Sequence, residues 1–354
     1  MIRSLHSDEI YRREFGSPFT NTSFPDSQKY SLTVKFIQKS FPASYKGSST
    51  VWVGSRENLI FTLESKGRVV MYNTLSNNPA ATIINSPVHG LKCVLSSENL
   101  VVISKTQDSP FLTFSSYQIT DLQSGMVLGR KILGQLNLTL SDIHEINERD
   151  LLISLVNSST FQVWSLQSSS LHCSFPYNPD LTFQYTNSRL VFWQKELNQT
   201  SIGIVQNNKM RTLALNSTND IYLCEIINDS LVIGMKSCHL QIIDLNDFSV
   251  EIIKKGVPSQ VFRLNRQDAV LAVYNNGTVI KIQNDIKEFC VEGKNFVCGE
   301  SEDLIVLASN DGKIYVNWKK IDLKLDGKGP CQVGVNPDTH QIIFTEKGKI
   351  SVFE

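Results

Sequence analysis

Six histidines and seven cysteines are the side chains of this 354-residue chain best suited to metal binding or nucleophilic chemistry. The histidines are His6, His89, His144, His172, His239 and His340; the cysteines are Cys93, Cys173, Cys224, Cys238, Cys290, Cys298 and Cys331. No Cys-x-x-Cys pair occurs, and the nearest His/Cys neighbours are His172-Cys173 and Cys238-His239. Adjacent residues on a strand point to opposite faces, so neither pair can close on one ion without donors from elsewhere. The densest acid–base cluster is LSDIHEINERD, with Asp142, His144, Glu145 and Glu148. Carboxylates and an imidazole at one mouth of a cavity could move protons. Here, however, Ile143 and Ile146 carry the apolar period of a strand, which leaves the charges facing solvent. The serines of SLQSSS at 165–170 have no partner base at a recognisable spacing and read as turn material. The phosphate-cradling P-loop, the dinucleotide glycine motif, the Gly-x-Ser-x-Gly elbow, the His-Glu-x-x-His zinc motif and the EF-hand acid ladder are all missing. The expectation is a chain with no catalytic, cofactor-binding or metal-ligating residues.

Apolar residues make up 41% of the chain and charged residues 19%, a balance that builds a core and argues against disorder. The 34 basic and 34 acidic side chains cancel, so no global basic footprint exists for nucleic acid or an anionic membrane. Local basic clusters are Arg12-Arg13, Lys254-Lys255 and WKKIDLKLDGK at 318–328. The last sets lysines beside Trp318, which suits a phosphate backbone or an acidic partner; an edge strand that uses lysines to block pairing is the favoured structural explanation. Apolar runs are only a few residues long, as in LIVLA at 304–308, too short to span a bilayer. The first residues, MIRSLHSDEIYRREF, lack the apolar stretch of a secretory signal and carry acids at Asp8 and Glu9. With an odd, unpatterned cysteine set, this predicts an intracellular protein, cytoplasmic or nuclear. Seven Asn-x-Ser/Thr sequons, Asn21, Asn137 and Asn276 among them, add little without a signal peptide.

The elements that must position any site follow from a repeat. Short apolar strands recur at 58–65, 98–105, 149–156, 188–193, 229–235, 268–274, 303–309 and 340–346, each introduced by a polar turn. Each is followed by a second alternating strand, starting near 68, 115, 160, 201, 239, 278, 313 and 349, about 40 residues apart. A period of this size, with four short strands per unit, is the signature of an all-β propeller. Three later units carry NNGTVIKIQ at 275–283, NDGKIYVNW at 310–318 and EKGKISVFE at 346–354. Gly277, Gly312 and Gly348 are predicted to take positive φ in two-residue hairpin turns.

These segments resemble the WD-repeat family from about residue 48 onward, through FQVWSLQSS at 161–169, LQIIDLND at 240–247 and QITDLQSG at 118–125. Only Trp164 holds the family's tryptophan position; Tyr72, Ile243, Ile282 and Phe353 replace it elsewhere. Asp244 alone keeps the following acid, and His89 alone matches the histidine before a first strand. The resemblance implies a degenerate propeller held by apolar packing. Eight third strands predict eight blades, with seven as the alternative if SIGIVQNN at 201–208 belongs to a neighbour. The last unit ends at its third strand, so YSLTVKFIQ at 30–38 is expected to supply the missing strand and close the ring. The predicted organisation is an N-terminal extension, 1–29, followed by the propeller, 30–354.

Within the extension, SDEIYRREFGSPF at 7–19 reads as a short helix capped by Ser7. Ile10, Tyr11, Phe15 and Phe19 either pack on the ring or dock into a partner, with Arg12 and Arg13 at the rim of the contact. The candidate docking set is Ile10, Tyr11, Arg12, Arg13 and Phe15. The resemblance implies a non-enzymatic scaffold that binds other proteins in a stable complex; the short apolar runs argue against membrane insertion, and the balanced charge argues against direct nucleic-acid binding without excluding it. A hydrolase with its site at one channel mouth, or an accessory subunit of a nucleic-acid-modifying complex, are the alternatives.

Overall fold

The structure is a computed structural model. It describes residues 39–42, 49–75, 81–84, 88–95, 98–106, 111–123, 131–137, 143–147, 152–156, 160–165, 170–176, 178, 181–186, 189–195, 200–206, 209–215, 221–235, 239–247, 249–264, 266–323, 330, 332–346 and 349–353. Residues 1–38, and with them the docking set Ile10, Tyr11, Arg12, Arg13 and Phe15, lie outside the described residues. So do Asp142 and Glu148, the side chains of His144, Glu145 and Trp164, and Gly348.

Among the described residues the strands form eight four-stranded antiparallel sheets. Seven of them follow chain order, each strand hydrogen-bonded to the next. The first sheet, for example, runs Thr50–Arg56, Leu59–Glu64, Val69–Asn73, Thr82–Ile84. The apolar runs read from the sequence are the second strands of these sheets, and the alternating runs after them are the third strands. Residues 200–206 form the third strand of the fourth sheet, between Arg189–Lys195 and Lys209–Leu215.

The eighth sheet joins distant parts of the chain. Gln332–Val335, Ile342–Glu346 and Lys349–Phe353 are completed by Lys39–Pro42, which pairs antiparallel with the last strand from Lys39↔Val352 to Pro42↔Lys349. The strand expected at 30–38 lies outside the described residues, and the observed pairing begins directly after it. Pro42 has no N–H to donate, which suits the end of an edge strand.

Burial explains why the second strands read as near-continuous apolar runs. Every residue of Leu59–Glu64, Ala269–Val273, Ile305–Ser309 and Ile342–Glu346 is buried. Alternate side chains serve different neighbours. Leu59 and Phe61 pack with Leu100 and Val102 of the second sheet. Ile60, Val70 and Tyr72 face the other way, onto Ile343, Ile350 and Val352 of the eighth. The same two-sided arrangement recurs at the fifth sheet: Leu231 and Ile233 pack with Val191 and Ile202 of the fourth, and Val232 with Val270 and Ala272 of the sixth.

Turn chemistry follows the glycines. Gly277 and Gly312 both have φ of +84° in the turns joining second and third strands, and Gly67 takes the same role in the first sheet at +78°. A Cβ on Gly277 would fall 2.3 Å from the carbonyl oxygen of Val291, so the site excludes a side chain on two counts. One expected strand end is different. The third strand of the second sheet stops at Gln118, and Ile119–Gln123 forms a one-turn helix. Ile119 and Leu122, three residues apart, bury together against the first sheet, which a continuing strand could not achieve.

Phe344 is 1% exposed and meets Phe353 edge-to-face at 5.5 Å, within the sheet that joins the two ends of the chain. Phe344→Ala is expected to cost about 3–5 kcal/mol, the range for buried aromatic truncations, read as a shift in urea midpoint. A loss under about 1 kcal/mol would show that this layer does not support the fold.

Candidate functional site: the central cavity and its polar stitches

The first strands of the sheets gather on one another: Gln332–Val335 of the eighth sheet lies against both Phe296–Glu300 of the seventh and Thr50–Arg56 of the first. Glycines permit the approach. A Cβ on Gly299 would sit 2.8 Å from the Val333 carbonyl oxygen, and one on Gly334 would sit 3.2 Å from Val53. Between these strands is a cavity of about 360 Å³. Its wall includes Trp52, Phe262, Val333 and Leu95, with Ser55, Arg263, Arg266, Cys298, Glu300 and Gln332 as the polar members.

The charges in this wall are engaged. Arg263 donates to the carboxylate of Asp268 and to the Ala269 carbonyl at 3.4 Å, and its Nε lies 3.9 Å from Glu225. Glu300 accepts from the backbone N–H of Arg266 at 3.3 Å. Burial pushes the Cys298 thiol upward, and the charge of Glu300 adds to the effect, so the sulfur stays protonated at neutral pH. The Ser55 hydroxyl is buried, with the residue only 3% exposed, and has no hydrogen-bond partner among the described residues. Among the described residues that line the cavity, none is a histidine.

Side-chain hydrogen bonds join several of the sheets to their neighbours. Gln260 of the sixth sheet donates to the Phe296 carbonyl at 2.9 Å and accepts from the Phe296 N–H at 2.6 Å, a reciprocal pair that extends one sheet onto its neighbour. Gln267, in the turn after that strand, donates to the carbonyls of Ser301 at 2.9 Å and Leu304 at 3.3 Å. It accepts from Lys281 at 2.8 Å, whose ammonium is held below the usual lysine range by burial and then by Lys287. Asp338 of the eighth sheet accepts from Arg56 and from the Glu57 N–H, each at 2.8 Å, while Asn336 donates to the Glu57 carbonyl at 2.7 Å. Arg189 of the fourth sheet donates to Asp229 at 2.8 Å and to the Asn228 carbonyl at 3.1 Å in the fifth. These turns hold left-handed residues at Glu57, Asn228, Asp268 and His340.

The residues singled out in the sequence are dispersed. His144 and Glu145 fall on the first strand of the third sheet, Ile143–Asn147. His172 is exposed on the fourth strand of that sheet, while Cys173 turns inward against Phe161 and Val163. Among the described residues no three His, Cys, Asp or Glu side chains gather to hold a metal. Lys319 and Lys320 are exposed on a three-residue edge strand, as the edge-blocking explanation requires. Trp318 enters a left-handed turn with Asn317, at φ of +71° and +44°, and stacks on Phe289 of the sixth sheet with centroids 3.9 Å apart. Its ring is committed to a neighbouring sheet. Gln260, Gln267 and Asp338 had no sequence signal as functional residues, since each looks like ordinary turn or strand polarity.

Comparison with solved structures identifies the fold. The chain is similar to the β-propeller domain of the Trilobed protease from Pyrococcus furiosus, with a TM-score of 0.52, 12% identity, and coverage of 80% of this chain and 97% of that one. It is also similar to Sqt1 from Saccharomyces cerevisiae, with a TM-score of 0.56, 13% identity, and coverage of 89% and 97%. The computationally designed Ika8 protein superposes with a TM-score of 0.59 at 14% identity, over 88% and 98%. The chain therefore has a β-propeller fold. No protein-family model and no curated protein sequence matches it.

Two outcomes follow from the site. Gln260→Ala removes both bonds to Phe296 and is expected to cost about 1–3 kcal/mol, with Gln260→Glu, which keeps only the acceptor, losing roughly half of that. Under alkylation at pH 8, the exposed Cys290 should react at least about tenfold faster than Cys298, measured by mass spectrometry of the tryptic peptides. Equal rates would mean that the cavity wall opens freely.

Proposed function

We propose that this chain is a non-enzymatic scaffold: an eight-bladed propeller, closed by an N-terminal strand, that serves as a subunit of an intracellular protein complex. The pairing of Lys39–Pro42 with the last strand and the packing of the eighth sheet on the first support the closed ring. The observation that carries the scaffold reading is a charge asymmetry between the two sets of turns. Among the described residues, turns joining first to second strands carry Glu57, Glu98, Asp229, Asp268, Glu302, Asp303 and Asp338, with Arg266 as the one base. Asp338, Asp229 and Asp268 pair with Arg56, Arg189 and Arg263, which brace the turns. Among the described residues, turns joining second to third strands carry Lys66, Arg68 and Lys313 and one acid, Asp311. A chain with no net charge thus presents an acidic end, which favours basic protein partners and speeds their encounter. Glu302 and Asp303 are exposed and lie beside a stitched, rigid turn. Residues Ile10, Tyr11, Arg12, Arg13 and Phe15 are a second docking element, apolar with a basic rim.

The test is endogenous-level affinity purification with quantitative mass spectrometry on three forms: the full chain, the Glu302→Lys/Asp303→Lys variant, and a chain lacking residues 1–20. The full chain should recover stoichiometric partners. Each altered form should lose at least one of them while its melting temperature moves by less than about 2 °C, because exposed surface changes seldom exceed about 0.5 kcal/mol. A full chain recovered as a lone monomer would overturn the scaffold reading.

A further inference from the structure

Like charges directly opposite one another destabilise a sheet. In the sixth sheet Lys281, on the third strand Thr278–Ile282, stands directly opposite Lys287 on the fourth strand Ile286–Cys290. The surroundings of the two lysines differ. The Lys287 side chain is 59% exposed and pairs with Asp285 at 2.9 Å. Lys281 is partly buried, and its Nζ donates to a neutral acceptor, the Gln267 Oε1, at 2.8 Å. Burial and then the Lys287 charge hold its ammonium below the usual lysine range, while Asp285 and Glu300 act in the opposite sense without cancelling the effect. Lys313 of the seventh sheet is the contrast. Against the effect of desolvation, the carboxylates of Glu292 and Asp311 hold it above that range.

The bond from Lys281 also reaches the next sheet. An ammonium donates and cannot accept, so the atom of the Gln267 amide that faces it must be the oxygen. Nε2 is left to donate to the carbonyls of Ser301 at 2.9 Å and Leu304 at 3.3 Å, which bracket Glu302 and Asp303. Within that bracket the turn closes on itself: the Ser301 N–H donates to the Leu304 carbonyl at 2.9 Å, and the Leu304 N–H to the Ser301 hydroxyl at 3.2 Å. Gln283 donates to the Gln267 carbonyl at 2.7 Å and ties the loop back to the end of the Lys281 strand. One amine thus orients the amide that grips the exposed acidic turn of the seventh sheet.

We propose that Lys281 is an acylation site that accepts an acyl group from a thioester, and that its modification loosens the Glu302–Asp303 turn. A lysine that is desolvated and set beside a second cation is an activated nucleophile. Its ammonium first gives a proton to solvent. The free amine then attacks the thioester carbonyl carbon, the N–C bond forms, the C–S bond breaks, and the thiolate leaves with the electron pair. A second proton passes from nitrogen to solvent, and the product is a neutral secondary amide. The charge-assisted bond to Gln267, roughly twice as strong as a neutral one, is lost with the charge. Nothing then fixes which end of the Gln267 amide faces Lys281, so the grip on Ser301 and Leu304 weakens. The inference deepens the scaffold reading, on which it rests only in taking the acidic turn as a docking surface.

The full chain is incubated at pH 7.5 with the N-acetylcysteamine thioester of acetic acid, and acetylation of each lysine is timed by mass spectrometry of chymotryptic peptides. Lys281 should react at least about fivefold faster than Lys313 and Lys319, and the advantage should vanish in urea, where folding no longer distinguishes the lysines. Lys287→Gln removes the neighbouring charge and should slow Lys281 by about twofold or more. In hydrogen exchange, residues 301–305 of the acetylated chain should lose protection. An acetylated Lys281→Arg chain, whose other lysines react alike, should keep it. Acetylation of Lys281 no faster than that of Lys313, or protection at 301–305 that survives in the acetylated chain, overturns the proposal. These measurements need no partner, so a chain purified as a lone monomer would remove the scaffold reading and leave them standing. Where partners are recovered, acetylation should release the same ones as Glu302→Lys/Asp303→Lys, and a complex that keeps them would break the link from Lys281 to docking.

Discussion

A four-stranded sheet whose second strand is apolar on both faces cannot stand alone in water, and that constraint governs the molecule. Leu59 and Phe61 need the second sheet; Ile60, between them in sequence, needs the eighth. Fully burying a side chain of this size is worth about 1.5–3 kcal/mol, and only a neighbour on each side removes both sets from water. Ile343, Ile350 and Val352 of the eighth sheet pack on Ile60, Val70 and Tyr72 of the first in the same way. Pairing of Lys39–Pro42 with Lys349–Phe353 adds backbone hydrogen bonds between segments far apart in the chain.

Apolar layers hold sheets together but do not set their relative height, because a face of Val, Ile and Leu slides easily. The polar stitches supply that information. The Gln260 amide reads the N–H and C=O of Phe296 at once, so a displacement of one residue would break both bonds. Asp338 does the same at the junction of the eighth and first sheets, with one oxygen on Arg56 and the other on the Glu57 N–H. Glycines complement the stitches: with Gly299 and Gly334, first strands approach closely enough for backbone and side chains to meet. The cavity is what remains where the approach stops, lined by side chains too large to close it.

Much of this architecture could be read in the chain beforehand, for a physical reason. Second strands sandwiched between sheets must be apolar on both faces, and the Asn-Gly and Asp-Gly turns at Gly277 and Gly312 demand positive φ, so both leave strong local marks. Tyr72, Ile243, Ile282 and Phe353 are all buried, in keeping with the apolar packing expected of them. What could not be read were the stitches. Gln260 and Phe296 are 36 residues apart, and Arg56 and Asp338 are 282 apart. No local pattern distinguishes a glutamine that bonds across sheets from one that faces water. The helix at Ile119–Gln123 was hidden likewise, since Ile119 and Leu122 fit an alternating strand end until their shared contact with the first sheet is known.

The rim obeys different rules from the core. Inside, each sheet's faces are covered because water is excluded on both sides; outside, the edge strands keep their backbone groups in solvent and depend on local devices to stay solitary. Those devices cost something: a bulge at Leu240/Gln241 gives up ladder bonds, and the left-handed Trp318 adopts a backbone that bulky residues avoid. The seven-position ladder of Lys209–Leu215 keeps regular pairing where its neighbours have surrendered it, and it is anchored from beneath by Leu213. That strand is thus held from two directions, by the ladder to Thr200–Gln206 and by Leu213 in the apolar layer beneath, with no interruption of its pairing to set it aside.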